Sequence, residues 1–214
     1  DPGMDVGEQY STLFENGLAL DPGYYVLTTG TRLSDGSVLA RMQFFTIEPG
    51  KTTNIDLVMR EPEKGLRIIG NFNSENRYMP LGADEDKSLL QTTGRGFYVL
   101  GLLDGGSEPT THAMQDIALV KDQLDKWGRG FVFLFQNEEH RKNFEKKNFK
   151  GLPENTTLGI ENGTMLKEIV ANMRLQNNNL PIFIVANTQN EIVFISQGYT
   201  IGLGEQLMKV VNEL

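Results

Sequence analysis

Cysteine is absent from this chain of 214 residues. Its absence excludes disulfides, thiolate catalysis and every cysteine-bound zinc site. It does not fix a compartment, since envelope and cytosolic proteins alike can do without cysteine. Histidine is nearly as scarce, with His112 and His140 on different predicted helices. No ligand spacing joins them to carboxylates, so neither a metal nor another cofactor is expected. Positive charge is also short: 20 Lys and Arg against 28 Asp and Glu give a net −8. That balance favours solubility and argues against nucleic acid as a partner. No apolar run reaches the roughly 18 residues that a membrane-spanning helix needs. The opening Asp1-Pro2-Gly3-Met4 has neither a basic nor an apolar leader region and reads as a cut inside a longer protein.

What is present divides in two. From Gln9 to about Asn73 the apolar pattern has period two. Tyr25 and Leu27 alternate with Tyr24 and Val26; Met42, Phe44 and Thr46 oppose Gln43, Phe45 and Ile47; Ile55, Leu57 and Met59 oppose Asn54, Asp56 and Val58. Asp21-Pro22-Gly23, Ser34-Asp35-Gly36 and Glu48-Pro49-Gly50 supply the reversals. A small antiparallel β-sandwich is therefore expected over residues 1–75, closed by a strand from Leu66 to Phe72. The polar stretch around Pro80 and Gly82 reads as a linker, residues 76–87.

Residues 88–214 alternate strands and helices. Phe97 to Leu103 is an apolar strand, followed by the turn Asp104-Gly105-Gly106 and then Ser107-Glu108-Pro109-Thr110. Ser107 suits the N-cap of a helix and Pro109 its first turn, which tolerates a missing N–H. Ala113, Ile117, Val120, Leu124 and Trp127 place one buried face along that helix, which Gly128 stops. Phe131 to Phe135 is uniformly apolar and predicts a central strand covered on both faces. A surface helix from Asn137 to Phe149, a strand Thr156 to Ile160 and a helix Thr164 to Met173 follow. Strands Ile182 to Ala186 and Ile192 to Ser196 flank a hairpin, and a terminal helix buries Leu203, Leu207, Val210 and Leu214.

Four pieces carry a resemblance: Ser88-Leu89 with Gly94-Arg95; Ser107-Glu108-Pro109-Thr110; Leu180-Pro181-Ile182-Phe183-Ile184-Val185; and Gln197-Gly198-Tyr199 before the last helix. In that order they resemble the thioredoxin-like superfamily, in particular periplasmic thiol-disulfide oxidoreductases and peroxiredoxin-like proteins. The resemblance implies an α/β fold with a central mixed sheet flanked by helices. It places Ser107 to Thr110 where the family carries Cys-x-Pro-Cys, and Pro181 at the family's cis-proline, beside which Leu180 would meet an extended peptide. Both cysteine positions hold hydroxyl residues, so the family's reaction, which needs a thiolate, is excluded for this chain. The first part is similar to prealbumin-like or carboxypeptidase-regulatory-like β domains. The whole resembles the C-terminal part of bacterial transglutaminase-like envelope proteins, which implies a periplasmic, cell-surface or secreted location.

These readings make the chain a redox-inactive binding or scaffolding module with no catalytic residue of its own. Its expected partner is a peptide or protein, an upstream domain of the same polypeptide included. Ser107, Glu108, Pro109, Thr110 and Pro181 are the degenerate site positions, and His112 and Leu180 the candidate ligand contacts. One alternative is a hydrolase using Ser107 with His112 as its base, although Gly105-x-Ser107-x-Pro109 is not a nucleophile elbow. Another is a carbohydrate-binding module, with Tyr10, Phe14, Tyr24 and Tyr25 lining a sugar face. The triplets Asn155-Thr156-Thr157 and Asn162-Gly163-Thr164 are short enough to arise by chance. Gly202-x-Gly204 lacks the third glycine of a dinucleotide site.

Overall fold

A computed structural model describes residues 17–32, 38–55 and 67–214. The chain divides into two compact units, residues 1–57 and residues 58–214.

In the first unit β1 (Gly23–Arg32) and β2 (Val38–Ile47) form an antiparallel ribbon, in register from Gly23 opposite Ile47 to Arg32 opposite Val38. The period-two pattern sets its faces: Tyr25, Leu27 and Phe45 are half-buried, whereas Tyr24, Val26 and Phe44 are exposed. The Tyr25 ring stacks on Phe45 with centroids 5.6 Å apart. The expected turn at Glu48-Pro49-Gly50 forms as a type II turn, with Lys51 N–H donating to the Glu48 carbonyl and Gly50 at φ 68°. Among the described residues of this unit two strands pair, which matches the expected sandwich only loosely. Tyr10, Phe14, the Ser34-Asp35-Gly36 turn and most of the strand expected from Asn54 to Met59 lie outside the described residues.

The second unit is built on an eight-stranded sheet of order β3-β10-β9-β6-β7-β8-β4-β5. The strands are β3 (Gly70–Asn71), β4 (Arg77–Pro80), β5 (Lys87–Ser88), β6 (Phe97–Leu103), β7 (Phe131–Phe135), β8 (Thr156–Ile160), β9 (Ile182–Asn187) and β10 (Glu191–Gln197). β6, β7 and β8 run parallel, and every other pairing is antiparallel. Two expectations are corrected here. The segment meant to close a sandwich instead contributes β3, which pairs with β10 through Gly70 and Ile192. The stretch read as a linker contains β4, which extends the sheet through Met79 opposite Ile160. β3 is a two-residue edge strand, and β4, set between β8 and the two-residue β5, has Tyr78 as its one large buried side chain.

Among the described residues six helices complete the unit: α1 (Leu89–Thr93), α2 (Glu108–Leu119), α3 (Lys121–Trp127), α4 (Glu138–Lys147), α5 (Thr164–Asn172) and α6 (Leu203–Val211). The pleat divides the core. Leu100, Leu102, Val132, Leu134, Ile182 and Ile184 share one face with α1 and α5. Val99, Leu103, Phe131, Phe133, Phe135 and Phe183 share the other with α2, α3, α4 and α6. Each fully buried Leu, Ile or Phe contributes about 1.5–3 kcal/mol, which lets the unit dispense with disulfides. Gly101 breaks the apolar run of β6 for a reason: a Cβ there would lie 2.8 Å from both the Phe133 and Phe183 rings. Those rings meet edge-on at 6.0 Å.

The single helix expected beyond Ser107 is two helices. Val120 N–H reaches back to Ile117 rather than to Asp116. Gly204 of α6 occupies the space at the Asp116 carbonyl, where a Cβ would come within 2.3 Å of the oxygen. Asp116 Oδ2 also accepts from Leu203 N–H at 2.8 Å, so the break seats the last helix. Gly204 thus serves helix packing, and Gly202 starts α6 at φ 71°.

Candidate functional site

Several chain segments converge at one edge of the sheet. β6 ends at Leu103 beside the end of β7 at Phe135, which lies beside the end of β8 at Ile160. β9 runs the opposite way, with Ile182 opposite Leu102, so Leu180-Pro181 arrives at the same edge. In α/β sheets this carboxyl edge is where ligands bind.

Asp104 organises the segment that follows β6. Its Oδ1 accepts from Gly106 N–H at 3.3 Å, from Ser107 N–H at 3.2 Å and from the Thr110 hydroxyl at 2.7 Å. Burial raises the Asp104 carboxyl, but the Ser107 and Thr110 side chains and the two N–H groups outweigh it, and the group is held below its ordinary value. A carboxylate so held is a weak base. Ser107 caps α2, its Oγ accepting from Thr110 N–H at 3.3 Å, and Glu108 and Pro109 occupy the first turn. The turn before it needs its glycines: Gly105 is at φ 88°, and a Cβ there would fall 2.0 Å from the His140 carbonyl oxygen of α4.

Of the two hydroxyls expected at the site, Thr110 is wholly buried and bound to Asp104, and Ser107 is bound into the cap. His112 serves neither. Its Nε2 lies 3.4 Å from the Tyr199 hydroxyl, and the two rings meet at 4.9 Å and 67°. Ser107 and His112 form no hydrogen bond, so the hydrolase pair is not assembled. His140 sits on α4 with its N–H on Asn137 Oδ1, and no cluster of metal-ligating side chains forms among the described residues.

The Leu180-Pro181 bond is cis. Pro181 C=O accepts from Gly198 N–H at 2.8 Å, and Gln197 Nε2 holds the approaching loop through the Asn177 and Asn179 carbonyls. The Leu180 side chain packs against the core face that α5 covers. Its main-chain N–H and C=O take no partner among the described residues. Ahead of a strand, an unpaired main-chain donor and acceptor can pair with an added extended segment.

The sequence reading missed two acids. Asp104 could have been noticed as an acid three residues before a cap serine and six before Thr110. Glu161 is 2% exposed; its Oε2 accepts from Gly163 N–H at 2.7 Å and Met165 N–H at 3.2 Å, and its Oε1 has no partner. Burial pushes its carboxyl above the ordinary value despite those bonds.

No protein-family model matches the chain, and a search of curated proteins found no match. Among solved structures, a SCO1/SenC family lipoprotein from Bacillus anthracis aligns at a TM-score of 0.51 with 12% identity, over 69% of this chain and 97% of that one. A DsbF homologue from Corynebacterium diphtheriae aligns at 0.49 with 18% identity, over 78% and 97% of the two chains. A putative thiol:disulfide interchange protein DsbE from Chlorobium tepidum aligns at 0.49 with 11% identity, over 67% and 96%. The likeness to the Bacillus anthracis structure shows the fold: a mixed α/β, thioredoxin-like sheet with its helices.

Proposed function

We propose that this chain is a redox-inactive, thioredoxin-like binding module that docks an extended peptide or protein segment at Leu180. The observation that carries this reading is a contrast at one sheet edge. The hydroxyls at Ser107 and Thr110 are consumed by the helix cap and Asp104, whereas the main chain of Leu180 is unpaired. A segment added there would gain main-chain hydrogen bonds and lie beside the exposed Tyr199. The docked segment could belong to an upstream domain of the same polypeptide, as the transglutaminase-like resemblance implies. That resemblance also supports a location in the bacterial envelope, and the SCO1/SenC structure that shares its fold is itself described as a lipoprotein. The test is a nuclear magnetic resonance titration with a pool of capped, random-sequence peptides. Shifts at 180–182 and 198–200 support the reading; shifts confined elsewhere, or reduction of insulin disulfides by the purified chain, overturn it.

A second reading rests on Tyr24, which is 91% exposed on the hairpin face that also carries Val26 and Phe44. Such a face suits stacking against a sugar ring. Retention on insoluble polysaccharide that Tyr24→Ala abolishes would favour it, and retention unchanged by that substitution would dismiss it.

A further inference from the structure

At the carboxyl edge of the sheet, a second feature lies apart from Ser107, Thr110 and Leu180: an open cleft of about 660 Å³. It is bounded by the end of β7, the turn between β8 and α5, one side of α5 and the loop at 177–178. Amides dominate its polar lining, with Asn137, Asn162 and Asn177 joined by Gln136 and Asn178.

Three of those amides have their orientation fixed by the chain. Asn137 Oδ1 accepts from His140 N–H at 2.9 Å, and Asn162 Oδ1 from Thr164 N–H at 3.2 Å. Asn177 Oδ1 accepts from Asn179 N–H at 3.0 Å and from Gln197 Nε2 at 3.1 Å. An amide whose oxygen is held in this way must present its NH₂ elsewhere. None of the three NH₂ groups has a protein partner among the described residues. Lys167 adds an exposed ammonium, and Leu166 and Val170 supply apolar surface on the next turns of α5.

The cleft is therefore rich in donors and carries one positive charge, on a protein whose net charge is −8. No acid lines it. Glu138, nearby in sequence, pairs with Arg141, and Glu161 is turned into the chain to cap Gly163 and Met165. The first N–H groups of α5 contribute nothing to a ligand, since Gly163 and Met165 donate to Glu161 and Thr164 donates to Asn162. Recognition would fall to side-chain amides and Lys167.

We infer that this cleft binds a carboxylate carried on an apolar group, the carboxylate taking the NH₂ groups and Lys167 and the apolar group resting on Leu166 and Val170. Both a small branched-chain acid and the free C-terminus of a peptide have that chemistry. The test titrates the intact chain with N-acetyl-leucine, with N-acetyl-leucinamide, and with an acetylated tripeptide that ends in leucine with a free carboxyl. Saturable shifts of the Asn137, Asn162 and Asn177 side-chain NH₂ signals are followed. Both acids should bind while the amide does not. Lys167→Gln should weaken binding about tenfold. Asn162→Asp keeps the oxygen that caps Thr164, replaces the NH₂ by charge, and should weaken it at least as much. Binding of only the small acid, or only the tripeptide, upholds the site and identifies the source. An amide that binds as tightly as its acid, or no saturable binding by either acid, overturns the proposal. Because Leu180 lies outside the cleft, failure here leaves the docking reading standing, and the reverse also holds.

Discussion

The wholly buried hydroxyl of Thr110 donates to Asp104 Oδ1 at 2.7 Å, tying the first turn of α2 to the residue that follows β6. Thr110→Val keeps the shape and removes the donor. It should destabilise the chain by about 1–2 kcal/mol, the cost of depriving a partly buried acceptor of a partner. Urea unfolding measures this, and the Asp104 carboxyl should at the same time move up toward its ordinary value.

Asp104 and Glu161 make opposite predictions for pH. The folded Asp104 carboxyl is depressed, so its contribution is full above the unfolded value of 3.8 and is lost as pH falls through the folded value. Wild type should therefore lose stability relative to Asp104→Asn on acidification below that point.

Glu161 is raised, so its contribution is present below the unfolded value of 4.5 and is lost as pH rises through the folded value. Glu161→Gln should flatten this fall. Denaturant midpoints on either side of pH 4.5, compared between wild type and variant, give the sign.

Two glycines should resist replacement for different reasons. In Gly101→Ala the new methyl meets two phenylalanine rings at 2.8 Å, an overpacking expected to cost about 1–3 kcal/mol. In Gly105→Ala it meets the main-chain oxygen of His140 at 2.0 Å, from a positive φ that side chains disfavour. That cost should exceed about 3 kcal/mol, because backbone yields less readily than a ring. Thermal unfolding of the two variants gives the ranking.

Elements with their own local signals were legible in the sequence. Ser107 and Asn137 cap helices, Gly128 ends one at φ 70°, and the apolar runs of β6, β7 and β9 are the middle of the sheet. What escaped depends on partners far along the chain. The break at Val120 answers to Gly204, and β3 and β4 are strands only because β10 and β8 lie beside them. Asp104 was hidden for a related reason. Asp-Gly-Gly reads as an ordinary turn, and its carboxylate acquires meaning only when Ser107 and Thr110 fold back over it.

Amide hydrogen exchange at Leu180, with and without the pool of capped peptides, tests the central claim most directly. The account predicts a Leu180 N–H that exchanges rapidly in the free chain, where it has no partner, and slows when a segment docks. An amide already protected in the free chain, or one whose exchange is unchanged at saturating peptide, would contradict it.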